Sequence, residues 1–393
     1  MMNILPSIRQ LESQMGEWRR HLHQNPELGF EEIETARFVT DKLRGFGIET
    51  VEGVGRTGVV GTLRGRLGDG PCVGIRADMD ALPMTEVRDL PHASRFPGKM
   101  HGCGHDGHTA TLLGAAAALA RSPEFAGTVR FIFQPGEEGC GGALAMLDDG
   151  LFERFHCDEI YAFHNVERPV GQVVVHDSVV AAAATRFTIV VHGSGGHAAT
   201  PHMTIDPLPT AARILLAIEA LPGRLTDAAS PAIVTVGSIH AGEAFNTIPD
   251  KAVLVGTVRC FNDEVLRVLE AGIKRVCDGE ASISGARVEI TSEVLFAPTV
   301  NAAEPASVVT RVAAEIVGQE NLVLGPPAEM GSEDFSFMLQ RRPGCYFLIG
   351  QADDDHRAVA HDTRYDFNDR ILSIGASIWV RLVEHRLAKR DVL

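Results

Sequence analysis

Positive charge is scarce in this chain. Lysine and arginine number 36 against 51 aspartates and glutamates, giving a formal net charge of −15 over 393 residues. That balance leaves no basic face for displacing counterions from phosphates, so nucleic acid is not the expected partner. A local cationic pocket stays compatible with it, because a site is set by its nearby charges. Long hydrophobic runs are missing too. The most apolar stretch, Leu112–Ala120, is short and alanine-rich, well below the length that spans a bilayer. Met1 to Arg20 has no apolar core of the signal-peptide kind and carries acids. The cysteines are seven, an odd number, and scattered, so a disulfide framework is not expected. A reducing compartment fits better. Internal repeats and low-complexity linkers are absent. The expectation is a soluble, cytoplasmic protein without a membrane partner.

What is present is an ordinary globular balance, with 45% apolar and 22% charged residues. The length suits two domains. Leu11, Met15, Trp18 and Leu22 recur at helical spacing, and a second helix is predicted over 31–46. Strands are expected at 59–63, 72–76 and 129–133, with a helix over 109–120 before the last. Helices alternating with short apolar strands predict an α/β layer with a mostly parallel, twisted sheet. The pattern then changes. A strand at 186–192, a helix over 206–221 capped by Asp206 with Pro207 in its first turn, strands at 232–240 and 251–261, a helix over 263–277 and a strand at 286–295 follow. That order, β-α-β-β-α-β, is the ferredoxin-like split unit. The α/β pattern resumes with a helix at 306–317, a strand at 345–349 and a closing helix at 370–387. The expected organisation is a catalytic domain over 1–183 and 296–393, interrupted by an inserted α+β lid over 184–295.

The densest chemistry lies in His101-Gly-Cys103-Gly-His105-Asp106-Gly-His108. A thiol, three imidazoles and a carboxylate share eight residues with interleaved glycines. Thiolate and imidazole together suit zinc or another borderline metal. A cysteine nucleophile paired with a histidine is the competing reading. Next comes the strand Phe131-Ile-Phe-Gln134, which runs through Pro135-Gly136 into adjacent carboxylates, Glu137 and Glu138. Ligands gather at the carboxyl ends of strands in open α/β sheets. One such acid can hold metal while the other takes a proton from water. His164 follows another strand, and His361 lies near the C-terminus. Asp78 and Asp80, after the strand at 72–76, could orient a metal-ligating histidine. In the inserted region, Gly193-Ser-Gly-Gly-His197 is a glycine-rich loop without the lysine and spacing of a P-loop. Arg259, on a strand, could grip a carboxylate bidentately or lie idle at the surface.

Taken in order, these segments resemble a known family. The carriers are His21-Leu-His-Gln-Asn-Pro-Glu-Leu-Gly, Arg76-Ala-Asp-Met-Asp-Ala-Leu-Pro, the Cys103 segment, Gln134-Pro-Gly-Glu-Glu-Gly, Met330-Gly-Ser-Glu-Asp-Phe and His361-Asp-Thr-Arg-Tyr-Asp-Phe-Asn-Asp. The family is that of dinuclear metallohydrolases: hippurate hydrolases, N-acyl-amino-acid amidohydrolases, auxin-conjugate hydrolases and N-acetyl-diaminopimelate deacetylases. The resemblance implies two divalent ions, with Mn or Zn foremost and Ni or Co behind. It implies Cys103, His105, Glu138, His164 and His361 as ligands and Glu137 as general base. It further implies His197 acting on the scissile carbonyl, reaching the partner subunit's site in a homodimer, and Asn246 and Arg259 binding the substrate carboxylate. The expected reaction is hydrolysis of an N-acyl amino acid. A thiol amidohydrolase using Cys103, a dipeptidase or carboxypeptidase, and a non-catalytic binding protein are the alternatives.

Overall fold

A computed structural model describes residues 2–389. The chain divides into two compact units, each considered by itself. The larger comprises 1–180, 300–328 and 334–393, and the smaller 181–299 with 329–333.

The larger unit is built on an eight-stranded sheet. Its order is Glu49–Val54, Gly58–Arg64, Thr128–Gln134, Cys72–Asp78, Glu159–Pro169, Gly344–Ala352, Val173–Val175 and Leu322–Leu324. Four of its seven junctions are parallel, including the three central ones that join Thr128–Gln134, Cys72–Asp78, Glu159–Pro169 and Gly344–Ala352. The other three are antiparallel. The sheet is thus mostly parallel, with antiparallel additions toward its edges.

Strand alternation divides the core between the two faces. Val73, Ile75, Phe131, Phe133, Tyr161, Phe163, Phe347 and Ile349 belong to one cluster, shared with side chains of the helices Glu12–Gln24, Ile33–Gly45, His105–Arg121, Ala303–Val317 and Leu372–Arg386. Their alternate neighbours Cys72, Ile132, Ile160, Ala162, Tyr346 and Leu348 join a second cluster with Met146, Phe152, Phe335 and Met338. Burial on both faces explains why these strands read as continuous apolar runs. The helix His105–Arg121 is alanine-rich and almost wholly buried, packed against Glu12–Gln24 and Leu372–Arg386.

The smaller unit is a four-stranded antiparallel sheet in the order Ala232–Ala241, Lys251–Cys260, Ala183–His192, Arg287–Phe296. The helices Pro207–Glu219 and Asp263–Ser284 share its apolar cluster, which includes Phe187, Ile214, Leu254 and Leu269. This is the ferredoxin-like arrangement. The second helix runs past the expected Cys277 and stops where Gly285 turns left-handed, at φ +76°. Among the described residues, no helix is long and apolar enough to cross a membrane.

Candidate metal centre

The site assembles in the larger unit, at the carboxyl ends of its central strands. Cys72–Asp78 delivers Asp78 and Asp80, Thr128–Gln134 leads into Glu137 and Glu138, and Glu159–Pro169 carries His164. The cysteine–histidine segment is only half loop. Gly104, at φ +107°, caps a helix that begins at His105, four residues before the expected start at Thr109. His105 and His108 therefore stand on the first helical turn. A β-carbon at Gly104 would collide with Asn165 Oδ1 and Tyr365 Oη, so glycine is required here for conformation and for space. His164 does not end its strand, which continues to Pro169.

Five candidate ligand side chains converge, with Glu137 beside them. Ligand-capable atoms of Cys103, His105 and His164 lie within 4.8 Å of one another, as do those of Cys103, Glu138 and His361, and those of His105, Glu137 and Glu138. Cys103 Sγ is 3.3 Å from His164 Nε2, and His361 Nε2 is 3.1 Å from Glu138 Oε1. His361 arrives from more than two hundred residues downstream on an irregular loop. Its backbone N–H donates to the Gly102 carbonyl at 2.7 Å, which ties that loop to the cysteine segment. At φ +67°, His361 is one of three non-glycine residues in the left-handed region among those described. Such strain persists only where surrounding bonds hold it, and it clusters at functional sites.

The donor set suits a cation. The Asp80 carbonyl and carboxylate oxygens accept from His105 Nδ1–H, at 2.9 and 3.2 Å. That aims His105 Nε2 inward, where it is buried without a hydrogen-bond partner among the described residues. An orphaned buried nitrogen is costly unless something coordinates it. His164 is arranged alike, with Nδ1 donating to the Asn165 carbonyl at 2.7 Å. Burial, with the nearby His108 and His105, lowers its pKa to about 3, so the ring keeps its lone pair. Asp80 Oδ2 also accepts from the Glu138 N–H at 2.9 Å, so one carboxylate orients two candidate ligands. The Cys103 thiol is pushed well above its ordinary value by burial and by the Glu138 and Glu137 carboxylates. The protein's own charges do not activate it as a nucleophile, whereas an adjacent cation would favour its thiolate.

Asp78 reaches a different histidine. Its Oδ1 is 2.6 Å from His108 Nδ1, and its Oδ2 is 3.8 Å from His105 Nε2. Burial alone would raise the Asp78 pKa, but His105, His108 and Arg76 hold it well below the carboxylate range. His108 also contacts Asn165 Oδ1 at 2.8 Å. His108, Asn165 and Arg76 had no role assigned from sequence; the first stood inside the dense segment, while the others gave no isolated signal.

The remaining candidates belong to the smaller unit. His197 lies on a two-residue strand, Gly196–His197, opposite Thr247, and the Ala198 N–H donates to the Asn246 carbonyl at 3.0 Å. His197 and Asn246 are therefore neighbours, both exposed. The Ala199 N–H donates to His197 Nδ1, which places the ring proton of the neutral form on Nε2. Arg259 is on Lys251–Cys260, its Nη1 donating to Ser332 Oγ at 2.6 Å.

Residues 74–385 match the family model described as peptidase family M20/M25/M40. The hippurate hydrolase of Campylobacter jejuni is 38% identical over 384 residues, 97% of this chain and 98% of the relative. The IAA-amino acid hydrolase ILR1-like 4 of Arabidopsis thaliana is 38% identical, covering 92% of this chain and 82% of its own. Among solved structures, the YXEP protein of Bacillus subtilis, described as a dinuclear metal-binding peptidase of the M20 family, superposes with a TM-score of 0.82. It is 31% identical, over 96% of this chain and 99% of that one. The chain belongs to peptidase family M20/M25/M40 and is an amidohydrolase of that family.

Proposed function

We propose that the protein hydrolyses the amide bond of an N-acyl amino acid, using two divalent cations held by Cys103, His105, Glu138, His164 and His361. The observation that carries this reading is the convergence of these five side chains beside the carboxylate of Glu137. The sulfur, imidazole and carboxylate donors suit Mn or Zn, with Co and Ni as further candidates. Bound there, such ions supply Lewis acidity toward a carbonyl and lower the pKa of water. Glu137 takes the proton of the attacking water and returns it to the leaving amine nitrogen. His197, carrying its proton on Nε2, is the donor for the developing oxyanion. Asn246 and Arg259 hold the substrate carboxylate. The names of the relatives, hippurate hydrolase and IAA-amino acid hydrolase, support an acylated amino acid as substrate.

The chain works as a homodimer in this reading, with the smaller unit as its contact. Support comes from Leu216, Ile239 and Phe245, large apolar side chains left exposed on that unit. Cytoplasmic residence fits cysteines that form no disulfide.

The test is a pair of substitutions assayed on hippurate with metal content measured in parallel. Glu137→Gln should lose at least about a hundredfold in kcat while retaining both metal equivalents, whereas Glu138→Ala should lose metal. Near-native turnover by the Glu137 variant would remove it as the base.

A further inference from the structure

Glu137 and Glu138 sit on a turn, and a turn by itself does not fix a carboxylate to the tolerance that proton transfer needs. The residues 135–141 carry no regular structure between the strand ending at Gln134 and the helix beginning at Gly142. Yet Glu137 is only 7% exposed. Something must hold both ends of this turn at a set separation.

Asp334 does so. Its carboxylate is wholly buried. Oδ1 accepts from Gln134 Nε2 at 2.7 Å, on the last residue before the turn. Oδ2 accepts from the Ala143 N–H at 2.9 Å, in the first turn of the helix after it. The Asp334 backbone N–H then points at the base itself, 3.3 Å from Glu137 Oε1. One residue, two hundred positions away, thus spans the turn from end to end and touches the carboxylate it carries. Arg76 extends the clamp. It is 2% exposed, and its guanidinium donates from Nη2 to Asp334 Oδ1 at 3.1 Å, from Nε to Gln134 Oε1 at 2.8 Å and from Nη1 to Asp78 Oδ2 at 2.7 Å. Asp78 in turn holds His108. A planar fork with three donors in fixed directions makes these bonds together, and an ammonium cannot.

We propose that Asp334 is a positioning residue for Glu137, with Arg76 as the strut that fixes the clamp to the strand Cys72–Asp78. The proposal rests on Glu137 being the base. Asp334 acts through the carboxylate it places. An amide at position 334 would set an N–H against the Ala143 N–H or lose the bond to Gln134, and would leave Arg76 short of a counter-charge.

The experiment is a double-substitution cycle on the metal-loaded protein with hippurate, using Asp334→Asn, Arg76→Lys, Glu137→Gln and the combination of Asp334→Asn with Glu137→Gln. The single Asp334→Asn and Arg76→Lys variants should lose about tenfold to a hundredfold in kcat, with KM and metal content near the parent's. Added to Glu137→Gln, the Asp334→Asn change should cost little more, because the group it positions is already disabled. Costs that multiply in the combined variant, or KM and metal content that fall with kcat, would overturn the positioning role. If Asp334→Asn does not fold, Gln134→Met removes one arm of the clamp and must show the same split; unchanged kcat there would count against the proposal. Full activity in Glu137→Gln would instead refute the base assignment, a separate failure.

Discussion

Gly104 shows how much a single residue decides at this site. It sits between Cys103 and His105, two of the five converging side chains, and its φ of +107° lets the chain turn from loop into helix between them. No side chain fits, because Asn165 and Tyr365 close the space. Gly104→Ala should cost about 1–3 kcal/mol from backbone strain alone. Thermal unfolding should fall accordingly, and metal equivalents should fall with it; an unchanged melting temperature would show that the turn relaxes freely. At this scale much could be read from the sequence. The Cys103 segment and Glu137-Glu138 announced themselves by density and by their place after strands. His361 did not, because nothing local distinguishes it. Its place beside Glu138 depends on a backbone bond to Gly102 that only folding creates. Arg76 and Asp334 stand in motifs that carry the resemblance, but their contacts were hidden: a buried arginine and a buried aspartate look like surface residues until their partners are known.

At the scale of elements, caps and alternation were the legible features. Asp206 and Pro207 mark the start of a helix, and the helix Pro207–Glu219 begins there with Asp206 Oδ1 accepting from the Leu208 N–H at 2.9 Å. Asp206→Ala should destabilise that helix by about 1 kcal/mol. Amide exchange along it should quicken about fivefold, with no change in the strands of the larger unit. The short strands Val173–Val175 and Leu322–Leu324 were not legible, since three residues carry no period and gain their structure from neighbours already in place. The alternation along Thr128–Gln134 was likewise hidden, because both faces of that strand are covered.

For the whole molecule, buried charge makes the stability depend on pH. His23 is fully buried, with Nδ1 2.8 Å from Asp106 and Nε2 3.5 Å from Glu86. Burial alone would lower its pKa, but the bonds to Asp106 and Glu86 outweigh that and raise it to about 9. A raised value means that the folded protein binds the proton more tightly than the unfolded chain. The stabilisation is complete below the ordinary histidine value and is lost as pH rises through about 9. Unfolding free energy should therefore decline between about pH 6.5 and 9, by roughly 3 kcal/mol at most from this group. The decline should flatten in His23→Gln; the same slope in that variant would assign the effect elsewhere. Divalent ions that bind only the folded chain should add stability in proportion to the logarithm of their concentration.

In the proposed function, five side chains hold two catalytic cations. The most direct measurement is a titration of chelator-stripped protein with Mn or Zn, reading hippurate turnover against bound metal. Negligible turnover is expected without metal, with a rise that saturates at two equivalents per chain. Full turnover in the metal-free protein, or saturation without bound metal, would contradict the proposed function.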